Sequence, residues 1–163
     1  MNRPLALHQI TAMEASPAEL VSIAAEAGCQ SVCIFTHIPA VALPDGSESA
    51  PFPLVTQDNV AEVKERLQAT GIKVENIEYF PVAPDGAIED FRKGFQLGAE
   101  LGARRAVVHI HDADDARAVD TLGRLADLAA EYDLSIGLEF MGITPACNSI
   151  QRAAWFVDQA DRP

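Results

Sequence analysis

Apolar positions along this chain follow two rhythms in turn, one of period near 3.6 and one of period 2, and the alternation repeats. Four segments share one plan: a helix that ends in small residues, a turn, then a short apolar strand. They read "AAEAGCQSVCIF", "LQATGIKVENIEYF", "AELGARRAVVHIH" and "AAEYDLSIGLEF", and a first strand, "LALHQI", precedes them. Gly28, Gly71 and Gly102 stand where three of the helices should stop, the position that tolerates left-handed backbone, and Asp133 takes that place in the fourth copy. Ser16-Pro17-Ala18-Glu19 has the form of a capping box with proline at the first helical position. Helical spacing predicts buried faces through Leu20, Ile23, Ala24 and Ala27; through Val60, Val63 and Leu67; through Ile88, Phe91, Phe95 and Gly98; and through Val119, Leu122, Ala126 and Ala129. Asn148 with Gln151 predicts the start of a fifth helix carrying Ala153, Phe156 and Val157.

The order is therefore βαβαβαβαβα, which calls for a parallel sheet covered by helices. The predicted strands begin near residues 5, 32, 74, 106 and 135, an average of about 32 residues per unit, as in a (β/α)₈ TIM barrel. Five units are not eight. The chain is either an open α/β sheet or a partial barrel, residues 1–163 forming one domain truncated before strand six, and the unit spacing favours the barrel. Its first and fifth strands would then present unpaired edges, to be covered by a C-terminal segment or by another copy in a homo-oligomer. The segment 37–56, rich in Pro, Gly and Ser, follows the second strand, where barrels carry functional loops.

Charge narrows the partners. Twelve Lys plus Arg against 24 Asp plus Glu leave a net charge of −12, a field that repels phosphate backbones, so nucleic acid is not expected. No apolar run approaches the roughly 20 residues of a membrane span, and the N-terminus lacks the form of a secretory signal. Three cysteines without a CxxC pair fit a reduced, cytoplasmic setting and simple packing.

All four histidines fall in or close to the ends of predicted strands, the functional end of a barrel. The period-2 rule sets Ile136, Leu138 and Phe140 toward the helices, and Gly137, Glu139 and Met141 toward the barrel axis. It likewise turns Val107, His109 and His111 inward on the fourth strand, and Cys33, Phe35 and His37 inward on the second. His8 shares a face with Ala6. On the third strand Glu78 and Tyr79 compete, with Glu78 preferred. One carboxylate and up to four imidazoles at one mouth suit a divalent metal. Plainer roles stand beside this one: Glu139 paired with a basic residue, histidines hydrogen-bonded in the core, "HDADD" as a helix N-terminal cap, and Gly98 with Gly102 as a helix-packing face.

The stretches "SPAELVSIAAEAGCQSVCIF", "GARRAVVHIH" and "IGLEF" resemble the xylose isomerase-like TIM barrels. That superfamily includes sugar isomerases and epimerases, inosose and dehydroshikimate dehydratases, and apurinic (AP family 2) endonucleases. The resemblance implies a divalent metal (Mn, Mg, Zn or Co) at the barrel mouth, held by ligands from strands five to eight, of which Glu139 matches the first. The other three positions would lie beyond Pro163, so the resemblance implies a metal held weakly and a chain inactive by itself. His109 matches a strand-four histidine that binds metal or substrate. His8, Phe35, His37, Glu78, Phe80 and His111 are the expected substrate contacts. The implied reaction is proton transfer beside the carbonyl of a sugar or polyol through an enediolate, with Glu139 as one acid/base. The implied alternatives are a dehydratase (lyase) of the same fold and a non-catalytic subunit with open edges. The endonuclease branch uses a third-strand histidine; here that region reads "IEYF", a departure that, with the charge, argues against DNA repair.

Overall fold

The computed structural model describes residues 3–39, 41–42, 48–84 and 88–162. Within the segment 37–56, residues 40 and 43–47 lie outside the described residues.

Five strands, β1 (Ala6–His8), β2 (Ser31–Phe35), β3 (Lys73–Val82), β4 (Arg105–Ile110) and β5 (Ser135–Glu139), form one sheet. All its pairings are parallel and its order follows the chain without reversal. That is the winding of a barrel and not of a doubly wound sheet, whose strand order reverses. Helices α1 (Pro17–Glu26), α2 (Val60–Thr70), α3 (Arg92–Glu100), α4 (Asp115–Ala130) and α5 (Ile150–Ala160) follow the five strands in turn. Two short strands, Val41–Ala42 and Glu48–Ser49, pair antiparallel in the segment after β2.

The stop signals act as expected. Gly28, Gly71 and Gly102 adopt φ of 77°, 74° and 80°, and Asp133 adopts 58°. In the capping box of α1, the Glu19 N–H donates to Ser16 Oγ at 3.3 Å and the Ser16 N–H to Glu19 Oε2 at 2.8 Å. Asp114 caps α4 by accepting from the Arg117 N–H, the helix-cap role open to the "HDADD" acids. The fifth helix differs: Ser149, not Asn148, is its cap, accepting from the Arg152 N–H. A hydroxyl reaches the third residue's N–H there, which shifts the helix start by one position.

The core lies between the sheet and the helices. Val32, Ile34, Ile77, Ala106, Val108 and Ile110 are fully buried on that face. Gly98 brings α3 against β3: a Cβ there would stand 2.4 Å from Ile77 Cδ1, so a larger residue would force Ile77 to shift. Aromatic rings fill the space beside it, with Phe80 centred 4.6 Å from Phe95 and 5.4 Å from Phe91. The α2 face is as expected, as is the third face through Ile88, Phe91, Phe95 and Gly98, while those of α1, α4 and α5 differ. On α1 the buried stripe runs through Ala18, Leu20, Val21 and Ala24, because the helix packs against α2 as well as the sheet. Ile23 is left 40% exposed, and Ala27 is exposed too. On α4 the stripe centres on Ala118, Leu122, Leu125 and Ala129, with Val119 and Ala126 half-buried. Val157 on α5 is 48% exposed. The expected third helix enters through a 3₁₀ turn, Ile88–Phe91, and becomes α-helical at Arg92.

Both outer strands have exposed apolar neighbours: Leu5, Ile10 and Met13 near β1, and Phe140, Ile143 and Ile150 after β5. The three cysteines are free. Among the described residues no helix is long and apolar enough to cross a membrane.

Candidate metal and substrate site

Parallel strands all end at the same rim, so side chains distant in sequence meet there. The pairing sets Phe35 beside Glu78 and His109 beside Glu139. On β3 the register shifts between Ile77 and Phe80, and strict alternation breaks. Glu78 and Tyr79 consequently both face the rim, while Phe80 returns to the helix side. The result is a cavity of about 300 Å³ lined by polar Glu78, His109, His8 and Glu139 and by a wall that includes Phe35, Phe52 and Tyr79.

Glu78 is 5% exposed. A buried carboxylate is costly unless it is hydrogen-bonded, and its Oε1 accepts from Asn76 Nδ2 at 2.8 Å and from His8 Nε2 at 2.7 Å. The donor role of His8 Nε2 follows from the other ring nitrogen, where Nδ1 accepts from the Ile10 N–H at 3.1 Å. The bond to Glu78 raises the His8 pKa against the opposing effect of burial.

His109 lies at the opposite extreme. It is 4% exposed, and neither ring nitrogen has a hydrogen-bond partner. Burial pushes its pKa down to about 4, so the imidazole is neutral at pH 7 with a free lone pair. Its Nε2 lies 3.8 Å from Glu139 Oε2, too far for a hydrogen bond. Burial, then the nearby charge of Glu78, raises the pKa of Glu139. Among the described residues no Arg or Lys pairs with Glu139.

One ligand atom each from Glu78, His109 and Glu139 lie within 4.8 Å of one another. The residues fit a divalent cation on three counts: an orphaned, deprotonated imidazole, two carboxylates that repel each other, and an oxygen/nitrogen donor set suited to such ions. Where the sequence offered one ligand, the structure brings three possible donors together.

The His109 environment has a measurable consequence. An unfolded histidine, with an ordinary pKa of 6.5, takes its proton before folded His109 does. Its contribution to stability is therefore intact above pH 6.5 and lost as pH falls toward about 4. Between pH 7 and pH 4 the chain is expected to lose about 3 kcal/mol more stability than a His109→Gln variant, measured by urea unfolding.

Three expected contacts stand elsewhere. Phe80 is fully buried on the helix side, with Gly94 and His37 against it, and offers no face to the cavity. His37 stacks on Phe80 at 5.6 Å and holds the Tyr79 carbonyl through Nδ1 at 2.7 Å. It turns outward because β2 ends at Phe35, and with it the alternation that predicted an inward position. His111 faces a neighbouring cavity, where its Nε2 and the Tyr79 hydroxyl share a hydrogen bond at 2.5 Å. Conversely, Asn76, Tyr79 and Phe52 belong to the site without having been expected there. Asn76 lies two residues before Glu78, so period 2 places it on that face; Phe52 lies in an aperiodic segment with no such signal.

Comparison with solved structures shows the same architecture. A xylose isomerase domain-containing protein from Salmonella typhimurium aligns at 17% identity and a TM-score of 0.76, covering 97% of this chain and 57% of that one. The IolI protein with a bound zinc atom aligns at 20% identity and a TM-score of 0.74, covering 98% and 60%. D-allulose 3-epimerase from Methylomonas sp., in complex with D-allulose, aligns at 20% and 0.69, covering 97% and 59%. This chain thus spans less than two thirds of the length of these structures, and such identities establish the fold alone. No curated protein sequence gives a significant match. The profile of one sequence family matches residues 21–163, and with the five successive parallel βα units it shows that the chain belongs to the xylose isomerase-like TIM barrels and forms part of such a barrel.

Proposed function

We propose that this cavity is the cation- and substrate-binding half of a sugar or polyol isomerase or epimerase site. The observation that carries the reading is the convergence of Glu78, His109 and Glu139 at adjacent strand ends, with the His109 ring nitrogens buried and unpartnered. These three residues would hold the cation, which when bound polarises a substrate carbonyl oxygen as a Lewis acid. Glu139 is half exposed to the cavity and has a raised proton affinity, so it is placed to take a proton from the carbon beside that carbonyl and return it. Glu78 is held in place by hydrogen bonds from His8 and Asn76, which suits it to the role of a positioned ligand. Phe35 and Phe52, with ring centres 4.8 Å apart, present an apolar wall to the C–H face of a sugar. Loss of hydroxide after the same proton abstraction would make the enzyme a dehydratase, the alternative outcome for the same residues.

Mn²⁺ relaxation of ketose NMR signals tests the reading. D-allulose mixed with the chain and Mn²⁺ is expected to show selective broadening of the protons nearest its carbonyl, beyond that caused by free Mn²⁺. Equal broadening with and without the chain would refute the proposal. The chain alone is expected to give no epimerised product, because the described cavity supplies one mobile proton carrier where inversion needs two.

A further inference from the structure

Beside the first cavity lies a second, of about 520 Å³, lined by Tyr79, His111, Ala113 and the segment 141–146, apart from Gly142. The two share Tyr79 and Met141 as a common wall. The floor of the second is built. The Met141 N–H donates to the Cys147 carbonyl at 3.0 Å, and the Thr144 N–H donates to the Met141 carbonyl at 2.9 Å. Arg152 Nε holds the Ala146 carbonyl at 3.1 Å from the side of α5.

The Tyr79 hydroxyl and His111 Nε2 share one hydrogen bond at 2.5 Å. Whichever of the two donates, the pair keeps one donor and one acceptor. These are Nδ1–H with a phenol oxygen lone pair, or the phenol O–H with a bare Nδ1. One acceptor beside one donor matches a sugar hydroxyl, which does both. Charge supplies the second constraint. No Lys or Arg lines either cavity among the described residues, whereas Glu78 and Glu139 line the first. A phosphate or carboxylate in the second cavity would find no Lys or Arg among the described residues that line it.

We infer that the second cavity takes the hydroxylated tail of an uncharged, unphosphorylated sugar or polyol, with the Tyr79–His111 pair as its polar anchor. This rests on the proposal that the reacting carbonyl lies at Glu78, His109 and Glu139, and it adds the class of substrate and the residues that choose it. Tyr79 and His111 act here as specificity residues, through hydrogen bonds to a part of the substrate that does not react.

The test is an NMR titration of the Mg²⁺-loaded full chain with D-fructose and with D-fructose 6-phosphate. D-Fructose is expected to shift the amides of Thr144 and Ala146. Tyr79→Phe and His111→Phe are each expected to weaken it roughly tenfold, the loss of one neutral hydrogen bond in a binding site. The phosphate ester is expected to bind at least about tenfold more weakly than the free sugar. Shifts confined to residues around Phe35, unchanged affinity in both variants, binding of the ester as tight as that of the sugar, or no binding at all would each overturn the inference. Calorimetric Mn²⁺ titration without sugar separates the two proposals. Absent cation binding with the Thr144 and Ala146 shifts intact refutes the metal reading and upholds this one. Intact cation binding with those shifts missing does the reverse.

Discussion

Glu139→Gln is expected to weaken one-to-one Mn²⁺ binding by at least about 100-fold while leaving the fold intact. The carboxylate is one of three donors, and the amide that replaces it carries no charge and one acceptor oxygen. Without a cation, Glu139 stands near Glu78, and burial, then the repulsion of that neighbouring charge, raises its pKa. Removing that repulsion is expected to leave the melting temperature of the cation-free chain unchanged or slightly higher. Loss of the ligand and retention of stability together identify a binding group and exclude a structural one. Calorimetric titration and a thermal melt on the same preparation check both. Affinity retained within threefold would remove Glu139 from the site.

The largest expected loss of stability belongs to a residue that first looked like a substrate contact. Phe80→Ala should destabilise the chain by about 4 kcal/mol, the cost of deleting a fully buried aromatic from a close-packed core. The ring touches Phe91 and Phe95, stacks against His37, and lies under Gly94, where an added Cβ would stand 3.0 Å from Phe80 Cε1. Denaturant unfolding measures the effect, and an effect below about 1 kcal/mol would contradict this packing. Cation affinity of the folded fraction is expected to remain that of the parent chain, since Phe80 lines neither cavity at the rim.

The contrast between these residues shows how far the sequence could be read. The βα repeat was legible because three glycines and Asp133 mark four helix ends, and positive φ is a local demand that local residues answer. Inward and outward faces on β4 and β5 were legible because those strands keep strict alternation: Ile136 and Leu138 face the groove beside α4 and α5, whereas His109, Glu139 and Met141 face the rim. β3 was not legible. Its register shift puts two consecutive residues on one face, and neither composition nor periodicity announces it. His37 failed for a related reason, since alternation carries no information past the last residue of a strand. The donor cluster needed the fold itself: Glu78, His109 and Glu139 sit on three separate strands, and only pairing brings them together.

One buried side chain sets which positions near the cavity are free to vary. Gln9, with no exposed surface, accepts from the Phe35 N–H at 3.0 Å and donates to the Pro53 carbonyl. It thereby fastens the stretch bearing Phe52 to the tip of β2. Every amino acid brings a main-chain carbonyl, so position 53 can accept any residue compatible with its backbone and still be gripped. Position 9 has no such latitude: glutamate would lack the donor, asparagine the reach, and an aliphatic residue both.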